Sequence, residues 1–216
     1  MSFNPIQLFD SDASNFSYIL VAPNSGHAVI IDPIDHHCER DVRHLERLGL
    51  ELVYVLATRP YGDPSTRAGR LCRLTGALNA VHIQDSTSQS GVALHDRAVI
   101  RFGIDEEIRV ISTPGLTAGS LSYTWRGNVF TGDTLLIDDH GSIDSESGCP
   151  DALYSSIKEK LFTLPDQTRL WPGHDHKGQT VSTIGWEKRH NVRLAARSRE
   201  DFIRSAFSAG ISQGDV

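Results

Sequence analysis

Short runs of apolar residues alternate along this chain with longer stretches in which apolar residues recur every three or four positions. The short runs have the length and content of β-strands, and the longer stretches have the period of helices that bury one face. The predicted strands are residues 16–21, 27–31, 52–58, 80–83, 98–102, 108–112, 120–125, 128–131 and 169–171. The predicted helices are residues 39–50, 65–74 and 152–162, with one or two more within 183–209. This alternation predicts an α/β fold.

Polar loops follow several of the predicted strands. They are residues 59–64, 114–119, 131–133 and 172–175. In layered α/β proteins, binding groups collect on loops that a rigid sheet holds in place. The sequence therefore predicts that these four loops together form the functional site.

The composition is that of an ordinary globular protein, and it excludes several classes. Of the 216 residues, 39% are hydrophobic and 22% are charged, which favours a single domain over residues 1–216 and argues against collagen-like or disordered chains. No run approaches the roughly 20 apolar residues of a membrane-spanning helix, so we expect no membrane partner. The net charge of −6 and the isoelectric point near 5.9 argue against a nucleic-acid partner.

The cysteines and the first residues bear on the cellular compartment. The three cysteines lie far apart and lack metal-binding spacing, and a sparse, odd set is typical of a reducing compartment. The start of the chain has no basic segment followed by an apolar one, so no signal peptide is predicted. We therefore expect a cytoplasmic protein. Among its ten histidines, His36 and His37 precede a helix and are expected to face solvent.

Five segments carry a resemblance to a known family. They read STPGLTAGS, FTGDTLLI, LYSSIKEKLFTLPD, LWPGHD and TVSTIGWEKRHNVRL. These segments resemble the metallo-β-lactamase superfamily, its glyoxalase II-like branch and, within that branch, the persulfide dioxygenases. The resemblance covers nearly the whole chain. It implies an αββα sandwich, in which two mixed sheets face each other, helices cover the outside and a metal site lies at one edge.

The resemblance also implies a ligand pattern. The family carries its metal ligands in the motifs T-H-x-H-x-D-H, P-G-H-T and T-G-D and in a G-H-D or A-H-D loop. Its hydrolases use this set to hold two metals. Its dioxygenases hold one iron through the first histidine, the P-G-H-T histidine and the T-G-D aspartate, a two-histidine, one-carboxylate triad with open positions.

This chain departs from that pattern at most of the ligand positions. Arg59, Tyr61 and Pro64 stand where the first motif has histidines, and Leu116 stands at the P-G-H-T histidine. The positions that keep their family identity are Asp63, Asp133 and His174. Of the iron triad that the resemblance implies, only the aspartate remains.

The substitutions change which cation the site can hold. Arginine has no lone pair to donate and stays protonated, and leucine has no donor atom, so we expect no metal cofactor. The alternative is iron or zinc in a rearranged site built on Asp133, His174 and one recruited donor. Because a buried, unpaired carboxylate is costly, we predict that the Arg59 guanidinium fills part of the former metal cavity and pairs with Asp133 or Asp63.

The candidate catalytic residues are Asp133, His174, Tyr61 and Asp63. Each also has a structural interpretation. Asp63 before a proline can cap a helix, Tyr61 can pack or face solvent, and Asp133 and His174 can serve local hydrogen bonds alone.

The pocket is expected to be lined by Arg59, Leu116, His176 and Ser142, with His176 at its rim. Ser142 stands where the dioxygenases carry an arginine in a G-R-T-D run. Together with the acidic residues around it, this replacement makes glutathione persulfide a less favoured ligand.

Three functions remain open on the sequence alone. The first is a binding, regulatory or scaffolding role on the preserved fold. The second is a metal-independent acid–base enzyme, since a histidine and a carboxylate suffice for proton transfer. The third is a hydrolase or oxygenase with the rearranged metal site. The expected partner is an unidentified small molecule, and a homodimer, common in the family, is also left open.

Overall fold

The computed structural model describes residues 4–59, 67–85, 91–143, 148–174, 178–194 and 198–211. Its strands form two six-stranded sheets. The first sheet contains, in spatial order, β1 (Ile6–Asp10), β2 (Asn15–Val21), β3 (His27–Ile31), β4 (Glu51–Leu56), β5 (Leu78–His82) and β6 (Val92–Leu94). The second contains β7 (Val99–Phe102), β8 (Glu106–Ser112), β9 (Leu121–Trp125), β10 (Asn128–Gly132), β11 (Arg169–Pro172) and β12 (Ser182–Thr183), again in spatial order.

Both sheets are mixed. In the first sheet β1, β2 and β3 are antiparallel neighbours, whereas β3 to β6 run parallel. In the second sheet only β10 and β11 are parallel. Because parallel neighbours end at the same edge of a sheet, the loops after β3 and β4, and those after β10 and β11, are brought together in pairs.

Helices cover the outer face of each sheet. They are α1 (Cys38–Leu48), α2 (Arg67–Thr75), α3 (Pro150–Ser155), α4 (Ile184–His190) and α5 (Arg199–Ile211). The side chains of α1 and α2 pack with those of the first sheet, and α3, α4 and α5 pack with the second. A third apolar cluster, which includes Tyr18, Ile108 and Phe130, fills the space between the sheets. The structure is therefore the αββα sandwich that the resemblance implied.

The elements that the apolar pattern did not predict are short or lie at sheet edges. Strand β1 is a half-exposed edge strand, β6 has three residues and β12 has two. The predicted helix 152–162 begins earlier, at Pro150, and after Ser155 it continues as a π turn (Ser156–Lys160) and a 3₁₀ turn (Leu161–Thr163). None of the described helices is long and apolar enough to cross a membrane.

Gly115 fixes the loop after β8 against α3. Its φ is +148°, and a methyl group on its Cα would lie 2.4 Å from Cα of Leu153. Its carbonyl accepts a hydrogen bond from the amide of Cys149 at 2.7 Å. The loop can approach the helix this closely only because residue 115 has no side chain.

Replacing Gly115 with alanine is therefore expected to lower the free energy of unfolding by about 3 kcal/mol or more, because both the backbone angle and the helix contact are lost. The matched control is Gly127→Ala. Gly127 also has a positive φ, of +75°, but no atom lies within 4 Å of the added methyl group, so its cost should stay at about 1–2 kcal/mol. Urea denaturation of both variants measures the difference. Equal losses would contradict the role of the loop–helix contact.

Candidate functional site

The ends of four strands meet at one edge of the sandwich. Asp32 follows β3, Arg59 follows β4, Asp133 follows β10 and His174 follows β11. The parallel pairing of β10 with β11 places Gly132 beside Pro172, and the amide of Gly173 donates to the carbonyl of Gly132 at 2.8 Å. The backbone ladder therefore places Asp133 and His174 side by side.

Asp133 is the centre of this edge. Its side chain is 9% exposed, and Nη2 of Arg59 lies 3.1 Å from its Oδ2. Its Oδ1 contacts Nδ1 of His174 in a direct hydrogen bond. The sequence predicted that Arg59 pairs with Asp133 or Asp63, and Asp133 is the partner that the structure describes. Asp133 and His174, both predicted as site residues, are brought together.

Leu116 and Ser142, two of the residues predicted to line the pocket, differ in exposure. Leu116 is buried, and a methyl group added to Gly141 would be 2.9 Å from its Cδ1 and 2.8 Å from Cβ of Asp133. Ser142, next along the chain, is exposed. The side chains of Leu116 and Asp133 therefore both approach the backbone of Gly141 closely. Tyr61, Asp63 and His176, the other predicted site residues, lie outside the described residues.

Asp32 is a site residue that the sequence reasoning missed. It accepts hydrogen bonds from the amide and the hydroxyl of Thr58, both at 2.7 Å, and its backbone has φ of +52°. Burial raises its pKa to about 6, assisted by the negative charge of Asp133 and opposed by the Thr58 hydrogen bonds and by the Arg59 charge. The sequence reasoning treated the Asp-Pro pair only as the end of a strand. The informative signal was its position at the end of a buried strand, on the same edge as the other loops.

The two sheets approach each other closely beneath the site. Gly132 has φ of +53°, and a methyl group there would lie 2.1 Å from Oγ1 of Thr58. The carbonyl of Thr58 accepts a hydrogen bond from the amide of Leu121 at 2.6 Å. Asp32, Thr58 and Gly132 therefore form one continuous contact from the first sheet to the second, directly under Asp133.

The arrangement has the chemistry of an oriented acid–base pair. A carboxylate bonded to Nδ1 fixes the ring and the tautomer of His174, as it does in histidines that transfer protons. Arg59 adds a permanent positive charge on the other carboxylate oxygen. Such a charge stabilises negative charge that develops on a nearby ligand.

Comparison with known proteins identifies the family. The chain is 36% identical over 200 residues to a Homo sapiens protein named "Persulfide dioxygenase ETHE1, mitochondrial", an alignment that spans 92% of this chain and 78% of that protein. The chain belongs to the persulfide dioxygenase family. No protein-family model matches it.

A second relative and a solved structure agree with this membership. A hydroxyacylglutathione hydrolase of Polaromonas sp. is 32% identical over 167 residues, which cover 75% of this chain and 62% of that protein. The crystal structure of ETHE1 from Myxococcus xanthus superposes with a TM-score of 0.90 at 38% identity, covering 96% of this chain and 91% of that one. The chain therefore has the metallo-β-lactamase fold of the persulfide dioxygenase family, with glyoxalase II-like relatives.

The raised pKa of Asp32 predicts a pH-dependent stability. Folding raises this pKa from about 3.9 in the unfolded chain to about 6, so the native state binds the proton more tightly, and the resulting stability is lost as pH rises through 6. Between pH 5 and pH 7 the loss amounts to about 1 kcal/mol. Asp32→Asn, which keeps the shape and can still bond Thr58, should remove this loss.

Chemical denaturation at pH 5, 6 and 7 gives the free energy of unfolding of the variant and of the wild type, and the effect is the change with pH in the difference between them. Asp105→Asn, at an exposed position, is the control and should follow the wild type throughout. A constant difference between Asp32→Asn and wild type across this range would contradict the raised pKa.

The pair between Arg59 and Asp133 should appear as a coupling energy. Free energies of unfolding are measured for a double-mutant cycle with Arg59→Met and Asp133→Asn. We expect a coupling energy of about 1 kcal/mol, because the carboxylate is buried while the arginine is partly solvated. The same cycle on the surface pair Arg101 and Glu107, whose side chains are 78% and 36% exposed, should give less. If the losses in the free energy of unfolding caused by Arg59→Met and Asp133→Asn are simply additive, the ion pair does not form in solution.

Proposed function

We propose that this chain is a metal-independent member of the family, in which Arg59, Asp133 and His174 take the place of the metal as the chemical groups of the pocket. The observation that carries the proposal is the guanidinium of Arg59 on the carboxylate of Asp133. It supports an enzyme or binding protein for a small molecule rather than an iron oxygenase.

The described residues do not fit the iron of the family's dioxygenases. Both carboxylate oxygens of Asp133 are engaged, one by Arg59 and one by His174. Arg59 and Leu116, at two positions where the resemblance implies histidines, offer no lone pair. A metal ion beside Asp133 would also be repelled by the guanidinium charge unless Arg59 moved away.

The same residues suit proton transfer to or from a small molecule. Asp133 holds the His174 ring through Nδ1, which leaves Nε2 as the basic nitrogen of the neutral ring. Arg59 supplies positive charge beside it, so a ligand with a carboxylate, or with a carbonyl that becomes an enolate, matches the site. We propose His174 as the acid–base group, Asp133 as its positioning residue and Arg59 as the charge that holds the ligand.

A second function is favoured by the family relationship itself. A relative named for persulfide dioxygenase activity shares 36% identity over most of this chain, which supports persulfide oxidation with iron in a rearranged site on Asp133 and His174. The two proposals differ in whether a metal binds to Asp133.

The cellular location is part of the proposal. We propose a cytoplasmic protein, because three widely spaced cysteines are typical of a reducing compartment. The name of the human relative assigns that protein to mitochondria, so fractionation of the cells that make this chain decides between the compartments.

Rebuilding the missing histidines tests metal independence directly. The variant Arg59→His with Leu116→His puts two histidines at the positions that the resemblance implies for the iron triad, around the retained Asp133. We expect this variant to bind Co²⁺ with a visible absorption band at least about 100-fold more tightly than the wild type does at Asp133, because two donor-free side chains become ligands. Adding Asp133→Ala should abolish the part of the band that the two new histidines add to the spectrum of the wild type.

Oxygen consumption separates the two functions. Wild type treated with chelator, reloaded anaerobically with Fe²⁺ and given glutathione persulfide should show no iron-dependent uptake above that of Asp133→Ala. Uptake that depends on both iron and Asp133 would overturn the proposal in favour of the dioxygenase.

A thermal-shift assay tests the proposed ligand class. A panel of small carboxylates and 2-oxo acids should raise the melting temperature of the wild type, and this stabilisation should be lost in Arg59→Met. If no member of the panel stabilises the wild type more than this variant, the ligand class is wrong.

A further inference from the structure

A second group of metal-binding side chains lies one strand away from the site. Asp10 is the last residue of β1, and His36 and His37 belong to the 3₁₀ turn (Asp35–His37) that follows β3. One ligand atom from each of the three side chains lies within 4.8 Å of the others. The sequence led us to expect both histidines in solvent, but the side chain of His37 is only 27% exposed and both rings contact Asp10.

The carboxylate at the centre of this group is buried. Asp10 is 2% exposed, and its Oδ1 accepts the amide of Asp12 at 3.0 Å. Its Oδ2 has no hydrogen-bond donor among the described residues. This buried oxygen lies 3.1 Å from Nε2 of His36, in a geometry that does not meet the requirements of a hydrogen bond. A buried carboxylate oxygen without a hydrogen bond is expected to be costly unless a cation compensates it.

The donor separations match a small transition ion. Nε2 of His36 lies 3.1 Å from Oδ2 of Asp10, and Nε2 of His37 lies 3.6 Å from Oδ1. Ligands at about 2.0–2.2 Å from a tetrahedral zinc ion are about 3.4 Å apart, so each histidine nitrogen is near ligand spacing from a different oxygen of the same carboxylate. Both rings present Nε2 to the same carboxylate, with centroids 4.3 Å apart. A simple histidine–aspartate hydrogen bond would need only one of the two histidine rings.

The surrounding charges leave room for a cation. Arg40, the nearest arginine along α1, donates to Asp41 at 2.9 Å and to the carbonyl of Phe9 at 3.3 Å. Its charge is therefore paired with a carboxylate outside the group. Asp35 adds a further negative charge next to His36 in sequence. Two neutral imidazoles and one carboxylate supply a net charge of about −1, which suits a divalent ion with a water ligand.

We propose that Asp10, His36 and His37 bind one zinc ion, with water in the fourth position. The side chain of His36 is 61% exposed, so the ion enters from solvent. The turn that begins after Asp10 leads to Asn15, which forms a β-bridge with His174. A bound ion would link the end of β1 to the 3₁₀ turn after β3, and it would not use Asp133.

Titration of the chelator-treated full chain with Zn²⁺ tests the site, with Co²⁺ as the spectroscopic probe. We expect one Zn²⁺ per chain and a tetrahedral Co²⁺ band in the wild type. The double variant His36→Ala, His37→Ala should bind at least about 100-fold more weakly, since losing even outer-shell partners of a metal ligand costs 10- to 100-fold. Zinc should also raise the melting temperature of the wild type and not that of the double variant.

Two control variants locate the ion. His27→Ala removes another partly exposed histidine, one that lies 3.6 Å from Glu51, and should bind zinc like the wild type. Asp133→Asn should also retain binding. The proposal is overturned if the wild type binds no zinc, if the double variant binds as tightly, or if binding is lost in Asp133→Asn. Loss of zinc binding in Asp133→Asn would also contradict metal independence at Asp133, whereas the other two outcomes would contradict the zinc site alone. The zinc site and the proposed function can therefore fail separately. Because His36 is largely exposed, His36→Gln alone tests the site if the double variant unfolds.

Discussion

The carboxylate of Asp133 is the group on which the chemistry of this protein depends. It is nearly buried, so its negative charge needs a compensating partner. Arg59 and His174 provide that compensation from two different sheets, the first through the loop after β4 and the second through the loop after β11. The ion pair thus joins the two halves of the sandwich at their functional edge. A change to any of the three side chains alters the charge balance or the hydrogen bonding at this edge.

The backbone next to the Arg59–Asp133 pair is also constrained, by a close contact between Gly132 and Thr58. Gly132 approaches Thr58 so closely that no side chain fits between them, and Thr58 in turn holds Asp32 through two hydrogen bonds. Two aspartates therefore lie near each other, one bonded by neutral groups and the other by a cation. Burial raises the pKa of Asp32 to about 6.

Much of this could be predicted from the sequence, and the failures share a physical cause. The donor count at Arg59 and Leu116 predicted that Arg59 pairs with Asp133 or Asp63, because a buried carboxylate needs a compensating cation, and the structure gives Asp133 as a partner. The group of Asp10, His36 and His37 was missed because β1 was missed. An edge strand that is half exposed has no strong apolar run, so the pattern could not show that Asp10 ends a strand beside β2. His36 and His37 lie 26 and 27 positions after Asp10 in the sequence. Without β1, the sequence pattern could not show that these histidines have a carboxylate partner.

The parallel ladder of β10 and β11 has a consequence for how such a protein can evolve. Hydrogen bonds between the two strands bring Asp133 and His174 together. A lineage with this scaffold can exchange the side chains on the opposite loops without losing the architecture or the relative position of these two residues. The same edge can therefore pass from one type of chemistry to another through folded intermediates, each of which is open to selection.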